Sequence, residues 1–261
     1  MKLRIYLLDA FAEKLFSGNP AAVCPLDSWL SDDMMKSIAM ENNLAETAFY
    51  IKEGDNYHIR WFTPAPLEVD LCGHATLAAA HVLFNFEGHK GDEISFNSRS
   101  GLLKVKKSGD SLTLDFPADE YEREKTPGEL SIALNITTKE CYKGKTDYML
   151  VYENEDQIIQ LKPNFTAMKL VDCRGIICTA KGKTADFVSR FFAPQAGINE
   201  DPVTGSAHTT LTPYWSGVLG KKEMNAVQLS ARRGYLKCVD KGSRVEISGK
   251  VKTYLKGEIE I

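Results

Sequence analysis

The sequence predicts an α+β fold of two pseudo-symmetric lobes, each a mostly antiparallel, barrel-like sheet around one central helix. Two observations carry this reading. A short phrase occurs twice: residues 70–76 read Asp-Leu-Cys-Gly-His-Ala-Thr, and residues 201–208 read Asp-Pro-Val-Thr-Gly-Ser-Ala-His. Each follows an aromatic-and-proline entry, Trp61-Phe62-Thr63-Pro64 or Phe191-Phe192-Ala193-Pro194, and each opens an apolar, helix-like run. The order strand-rich, buried helix, strand-rich is also given twice. A doubly wound nucleotide fold does not fit, because no Gly-x-Gly-x-x-Gly opens a helix after a strand. No Gly-x-x-x-x-Gly-Lys-Ser/Thr loop exists either.

The elements follow in order. Residues 3–9 read as a strand; Asp9 interrupts what would otherwise mimic a short signal peptide. Ser17-Gly18-Asn19-Pro20 is a turn into a second apolar strand. N-cap candidates at 27–33 precede Met34-Met35-Lys36-Ser37-Ile38-Ala39, which has helical spacing. Residues 45–51 and 57–62 read as strands, the second with clear period-two alternation. Gly73 to Phe86 is apolar on most sides, so it predicts a buried helix. Strands are expected at 93–97, 101–107 and 111–116, joined by Gly and Ser turns. Residues 117–128 are polar with two prolines and read as a domain linker. Strands then fall near 147–152 and 157–161, a short helix near 163–170, and strands at 175–180 and 185–192. The second Gly phrase starts a helix, broken or bent near Pro213. Strands at 226–230, 234–239, 243–248 and 250–259 complete the chain. This gives an N-terminal lobe over 1–117, with the C-terminal strand 250–261 as a possible member, and a C-terminal lobe over 118–249.

Composition narrows the function. With 261 residues, 43% hydrophobic and 26% charged, the chain has the make-up of a globular enzyme. A net charge of −3 gives no bulk attraction to nucleic acid or to an anionic membrane. No apolar run is long enough to span a bilayer. The six cysteines form no Cys-x-x-Cys pair and no disulfide framework, which fits a reducing, cytoplasmic setting. Any anion site must therefore be local. The two Gly phrases supply one each, since a helix N-terminus carries unpaired N–H groups and a positive dipole end. Two such ends, one per lobe, suggest an anionic small molecule held between them.

Several motifs in fixed order resemble the phenazine-biosynthesis (PhzF-like) isomerase family of the diaminopimelate epimerase superfamily. They are Asp9-Ala10-Phe11, Gly18-Asn19-Pro20-Ala21-Ala22-Val23, Asn43-Leu44-Ala45-Glu46-Thr47-Ala48-Phe49, Phe62-Thr63-Pro64, the two Gly phrases, and Phe192-Ala193-Pro194. The resemblance covers nearly the whole chain. It implies a diaminopimelate epimerase-like fold, an active site in the interlobe cleft, a homodimer and no cofactor. It also implies that Glu46 is the acid/base, that Asp201, His74 and Ser206 complete the site, and that Gly73 and Gly205 mark the helix starts that hold a substrate carboxylate. Epimerases of the superfamily place a cysteine before each of these glycines; here the positions are Cys72 and Thr204. A Thr hydroxyl is a far poorer base than a thiolate, so a two-thiol racemase is disfavoured. A second departure is Ser230-Ala231-Arg232-Arg233-Gly234, where the family often shows Ser-x-Arg-Gly-Gly.

The residues have bland readings as well. Glu46 in its apolar strand suits a general acid/base, since burial raises a carboxylate pKa towards the working pH; alone it would read as a solvated strand residue. His74 at a helix start would be neutral, because the dipole disfavours imidazolium. Asp201 is a catalytic candidate that could hold a substrate amine or hydroxyl or orient a proton relay, and Ser206 could donate to a carboxylate; both could also simply cap a helix. Asn19 is a turn-former or a substrate contact. Cys72 reads as a small filler and His208 as structural. His74, Cys72 and His208 match no zinc spacing, so no metal is expected. The function expected is a cofactor-independent isomerase moving a proton on a small carboxylate. The alternatives are an amino-acid racemase or epimerase, and a non-catalytic small-carboxylate binding protein.

Overall fold

The structure is a computed structural model describing residues 1–261. Its elements in chain order are β1 (Lys2–Ala10), β2 (Asn19–Pro25), α1 (Asp32–Asn42), β3 (Glu46–Glu53), β4 (Asn56–Phe62), β5 (Glu68–Val69), α2 (Gly73–Asn85), β6 (Glu93–Ser98), β7 (Gly101–Ser108) and β8 (Ser111–Pro117). These are followed by β9 (Tyr121–Arg123), α3 (Gly128–Leu134), β10 (Glu140–Gly144), β11 (Asp147–Val151), α4 (Glu155–Gln160), α5 (Phe165–Met168), β12 (Gly175–Lys181) and β13 (Phe187–Ala193). A 3-10 turn at Pro194–Ala196, β14 (Ile198–Asp201), α6 (Ala207–Leu219), β15 (Glu223–Gln228), β16 (Gly234–Asp240) and β17 (Arg244–Glu260) complete the α+β chain. Two compact units result: Met1–Asp115 with Ile247–Ile261, and Phe116–Glu246.

In the first unit β1/β2 is antiparallel, β2/β3 parallel, β3/β4 antiparallel, β4/β6 parallel, and β6/β7 and β7/β8 antiparallel. The strand β17 pairs with both β1 and β8, which closes the sheet into a barrel. In the second unit β10/β11 is antiparallel, β11/β12 parallel, β12/β13 antiparallel, β13/β15 parallel and β15/β16 antiparallel. The second unit thus repeats the pairing order of β1 to β7. In both, a short strand (β5 or β14) pairs beside the sheet just before the long helix.

Helix α2 is buried almost all round: Ala75, Leu77, Ala78, Ala79, Ala80 and Val82 have no exposed surface. Four alanines let the helix backbone lie close to the surrounding strands. Leu77, Val82 and Leu83 then each add about 1.5–3 kcal/mol of burial. Helix α1 packs on the other face of this sheet, where Met35, Ile38 and Ala39 meet Ala22, Cys24, Phe49 and Phe62. The second unit has the same outer layer, with Leu130, Leu134, Ile158 and Met168 against Leu150, Cys178, Val188 and Phe192.

The structure departs from the sequence reading at several places; one is the expected linker 117–128, which carries β9 paired with β10 inside the second unit. Residues 157–161 were expected as a strand, but Asn154 caps a helix by accepting from Gln157 N–H, and α4 covers 155–160. The helix expected over 163–170 shrinks to Phe165–Met168. The expected strands 243–248 and 250–259 are one strand, because Gly249 does not break it. Phe11 fills the space beside Gly249, where a Cβ would meet Phe11 Cδ1 at 2.4 Å, so glycine lets the strand run on. The helix expected to break at Pro213 continues through it to Leu219. Proline leaves the Thr209 carbonyl without its helical donor, and Asp119 N–H donates to it at 3.2 Å.

Candidate active site

The first helix start is built by three neighbouring strands and one helix. Gly18 (φ 72) turns the chain into β2; a Cβ there would lie 2.2 Å from Ala10 O, so the turn requires glycine. That turn places Asn19 at the start of β2. Asn43 (φ 47) ends α1 in the left-handed region, and β3 begins three residues later at Glu46. Glu46 pairs with Ala21 across the parallel strands, so Asn19, two residues earlier, shares its face. Cys72 is the N-cap residue of α2 but makes no side-chain cap bond.

These residues converge. Glu46 Oε2 lies 3.1 Å from His74 Nε2, with the two side chains 12% and 7% exposed. The two atoms lie within ion-pair range but out of line for a hydrogen bond. On the other side of the ring, His74 Nδ1 meets Asn19 Nδ2 at 3.2 Å and Cys72 Sγ at 3.6 Å. An amide nitrogen only donates, so this orientation of Asn19 suits a neutral ring with its proton on Nε2, facing Glu46. A doubly protonated ring would take the Asn19 amide turned over.

Burial opposes the charged form of His74. The groups at Cys72 and Glu46 outweigh it and hold the imidazole well above its usual pKa. Burial, reinforced by Glu46, raises the Cys72 thiol. The sequence argument for a neutral His74 rested on the helix dipole. A full carboxylate charge at 3.1 Å is stronger than the half charge of a helix end.

Glu46, Cys72 and His74 each offer a ligand atom, and these lie within 4.8 Å of one another. The sulfur, however, faces Nδ1 while the carboxylate faces Nε2. One ion binds one nitrogen of a ring, and here the carboxylate and the sulfur face different ones.

The second helix start is built differently. Asp201 ends β14, and Thr204 Oγ1 donates to its Oδ2 at 2.5 Å. Gln228, fully buried, holds the segment from below. Its Nε2 donates to Asp201 O at 2.7 Å and to Thr204 Oγ1 at 3.2 Å, and its Oε1 accepts from Thr204 N–H at 2.9 Å. Gly205 is buried, and Ser206 is half-buried at the N-cap of α6 without a side-chain cap bond. Asp201 belongs to a strand, so neither residue serves as a helix-capping side chain. His208 Nδ1 meets Thr204 O at 2.8 Å, and burial pushes its pKa down to about 4 against that bond. His208 is a neutral core residue.

The structure therefore groups Asn19, Glu46, Gly73 and His74 in the first unit, and Asp201, Gly205 and Ser206 in the second. Sequence reasoning missed Gln228. The available signal was its phase: Met224, Ala226 and Gln228 alternate inward along β15, and a polar residue continuing a buried series needs a polar task.

Comparison with known proteins shows the family. The profile of a family described as phenazine biosynthesis-like protein (PhzC-PhzF) matches residues 8–257. A protein of Pseudomonas aeruginosa named as an uncharacterized isomerase is 51% identical over 265 residues, covering 100% of both chains. A PhzF-family crystal structure from Enterococcus faecalis superposes with a TM-score of 0.97 at 46% identity, over 100% of both chains. A hydroxyproline epimerase from Agrobacterium vitis, crystallised with trans-4-hydroxy-L-proline, shares the fold alone: TM-score 0.62 at 10% identity, over 99% of this chain and 92% of that one.

Proposed function

The chain belongs to the phenazine biosynthesis-like (PhzC-PhzF) protein family, and from that premise we propose that it is a cofactor-independent isomerase of a small carboxylate. An isomerase or epimerase role follows from the family and its named relatives. The finer reading rests on one observation, the near-buried Glu46 carboxylate 3.1 Å from His74.

Glu46 takes a proton from a carbon acidified by conjugation. The electron pair left behind spreads over the conjugated system, and the proton returns at another carbon. Nothing is oxidised or reduced. His74 orients the carboxylate and balances its charge while it is ionised. A positioned acid/base of this kind contributes about 10²- to 10⁴-fold in rate. Asn19 and the amides at Gly73 are proposed to hold the substrate at the first helix start, with Asp201, Gly205 and Ser206 as further substrate-binding residues. Against a two-base racemase, the Thr204 hydroxyl is already committed to Asp201. All six cysteines are free and buried, which supports the proposal of a reducing, cytoplasmic setting.

The test is deuterium incorporation from D2O over a panel of small cyclic unsaturated acids. Wild-type protein is expected to exchange label at carbon in at least one acid, and Glu46→Gln to bind that acid without exchange. Exchange at the wild-type rate in Glu46→Gln would remove Glu46 from the mechanism. Binding without exchange by the wild type would leave a binding protein.

A further inference from the structure

The loop that departs from the family pattern holds an unusual backbone. Arg233 has φ 54, the left-handed region that favours glycine. Its N–H donates to Ser230 O at 3.1 Å and to Ser230 Oγ at 3.2 Å, closing a tight turn. The next residue has no latitude: a Cβ on Gly234 would lie 2.1 Å from Val203 Cγ2. Glycine at position 233 would adopt this conformation without strain. The chain carries an arginine there instead, and a strained position is a reason to ask what its side chain does.

The Arg233 side chain lines a cavity of about 530 Å³ together with Leu161, Lys162, Arg190, Glu200 and Leu229. That volume lies within the ordinary range for small-molecule sites, about 300–1,000 Å³. Glu200 is the only carboxylate in the lining, and it is fully used. Arg190 Nε and Nη2 donate to its two oxygens at 2.7 and 2.9 Å. Arg190 Nη1 donates to the carbonyls of Leu161 and Ile158 at 2.9 and 3.2 Å. This pair is a neutral, fixed wall. Lys162 and Arg233 are exposed and have no carboxylate partner. Two unneutralised cations therefore stand beside apolar surface from Leu161 and Leu229.

We propose that this cavity binds a small organic anion, a carboxylate or phosphate ester on an apolar body, with Arg233 and Lys162 taking the charged group. The guanidinium fork suits either oxyanion, and the ammonium adds a point charge. The site is separate from the residues proposed to bind substrate. Glu200 and Asp201 are adjacent in β14, so their side chains point to opposite faces of the strand. The two faces nevertheless share a backbone, and Ser230 Oγ donates to Pro202 O at 2.8 Å. A bound anion would thus rest against the segment that carries Asp201.

The experiment is calorimetric titration of the whole protein, at low ionic strength, with inorganic phosphate and separately with benzoate. Wild type is expected to bind at least one probe saturably, more weakly as salt is added. Arg233→Gly and Lys162→Met should each weaken that binding at least tenfold. Arg233→Gly relieves backbone strain, so loss of folding would not confuse the result. Arg233 and Lys162 lie outside the residues proposed to bind substrate, so a loss of binding in both variants separates this site from the isomerase reading. Which probe binds tells whether phosphate or carboxylate chemistry is read. The proposal is overturned if neither probe saturates or if Arg233→Gly and Lys162→Met bind as tightly as wild type.

Discussion

The two helix starts share a phrase but hold opposite chemistry. At the first, Glu46 and Cys72 stand on opposite sides of the His74 ring. At the second, Asp201, Thr204 and Gln228 are tied into a closed hydrogen-bond network. Their histidines make the same point. His74 is driven up in pKa by its anionic neighbourhood, and His208 is driven down to about 4 by burial. One copy of the repeat gathers ionisable groups around an imidazole, and the other closes a hydrogen-bond network.

The largest way to break this comparison is Glu46→Gln. We expect turnover to fall about 10³-fold with an unchanged thermal unfolding midpoint, measured by steady-state assay and circular dichroism. A comparable loss from Asp201→Asn with Glu46→Gln left active would reverse the roles assigned to the two starts.

Next comes pH. A histidine whose folded pKa is depressed contributes stability that is present above its unfolded pKa, roughly 6.5, and is lost as pH falls towards the folded value. For His208 the full loss is about 3 kcal/mol once the pH is below about 4. His74 has the opposite sign: its contribution is complete below the unfolded pKa and disappears as pH rises through the raised folded value. Urea titrations at pH 7 and pH 5 should show a smaller drop in stability for His208→Gln than for wild type. Equal drops would mean that His208 does not titrate as its burial demands.

His74→Gln should lower kcat about 10- to 100-fold and displace the pH profile, because the carboxylate loses a charged neighbour. A changed KM with an unmoved profile would make His74 a substrate contact only. Thr204→Val should act more gently, raising KM about fivefold with kcat kept, as expected for one lost hydrogen bond of about 1 kcal/mol. The smallest effect is expected from Cys72→Ser, less than threefold in kcat/KM, since a thiol raised by burial is a poor base. A large effect there would restore the first cysteine to the chemistry.

Much of this was legible in the sequence, for identifiable reasons. Barrel strands such as 57–62 alternate cleanly, and Gly73 to Phe86 is apolar all round because α2 is surrounded by its sheet. Glu46, His74 and Asn19 were readable because they sit inside ordered motifs. What was illegible depended on tertiary contacts. Gly249 looks like a break until Phe11 is seen against it, and Pro213 like a stop until Asp119 supplies the Thr209 carbonyl with a donor. The carboxylate beside His74 was hidden for the same reason: it is 28 residues away in the chain, on a different element.

The closing strand β17 has a consequence for how the polypeptide is made. The first unit cannot complete its barrel with residues 1–115 alone, since β1 and β8 are joined only through residues 247–261. Residues 116–246 are continuous and emerge from the ribosome before that last segment. The middle of the chain can therefore be finished while the beginning is still waiting, with the edges of β1 and β8 open and available to chaperones. A truncation at residue 246 would strand the N-terminal half in that state, although it removes nothing from the cluster of Asn19, Glu46, Cys72 and His74.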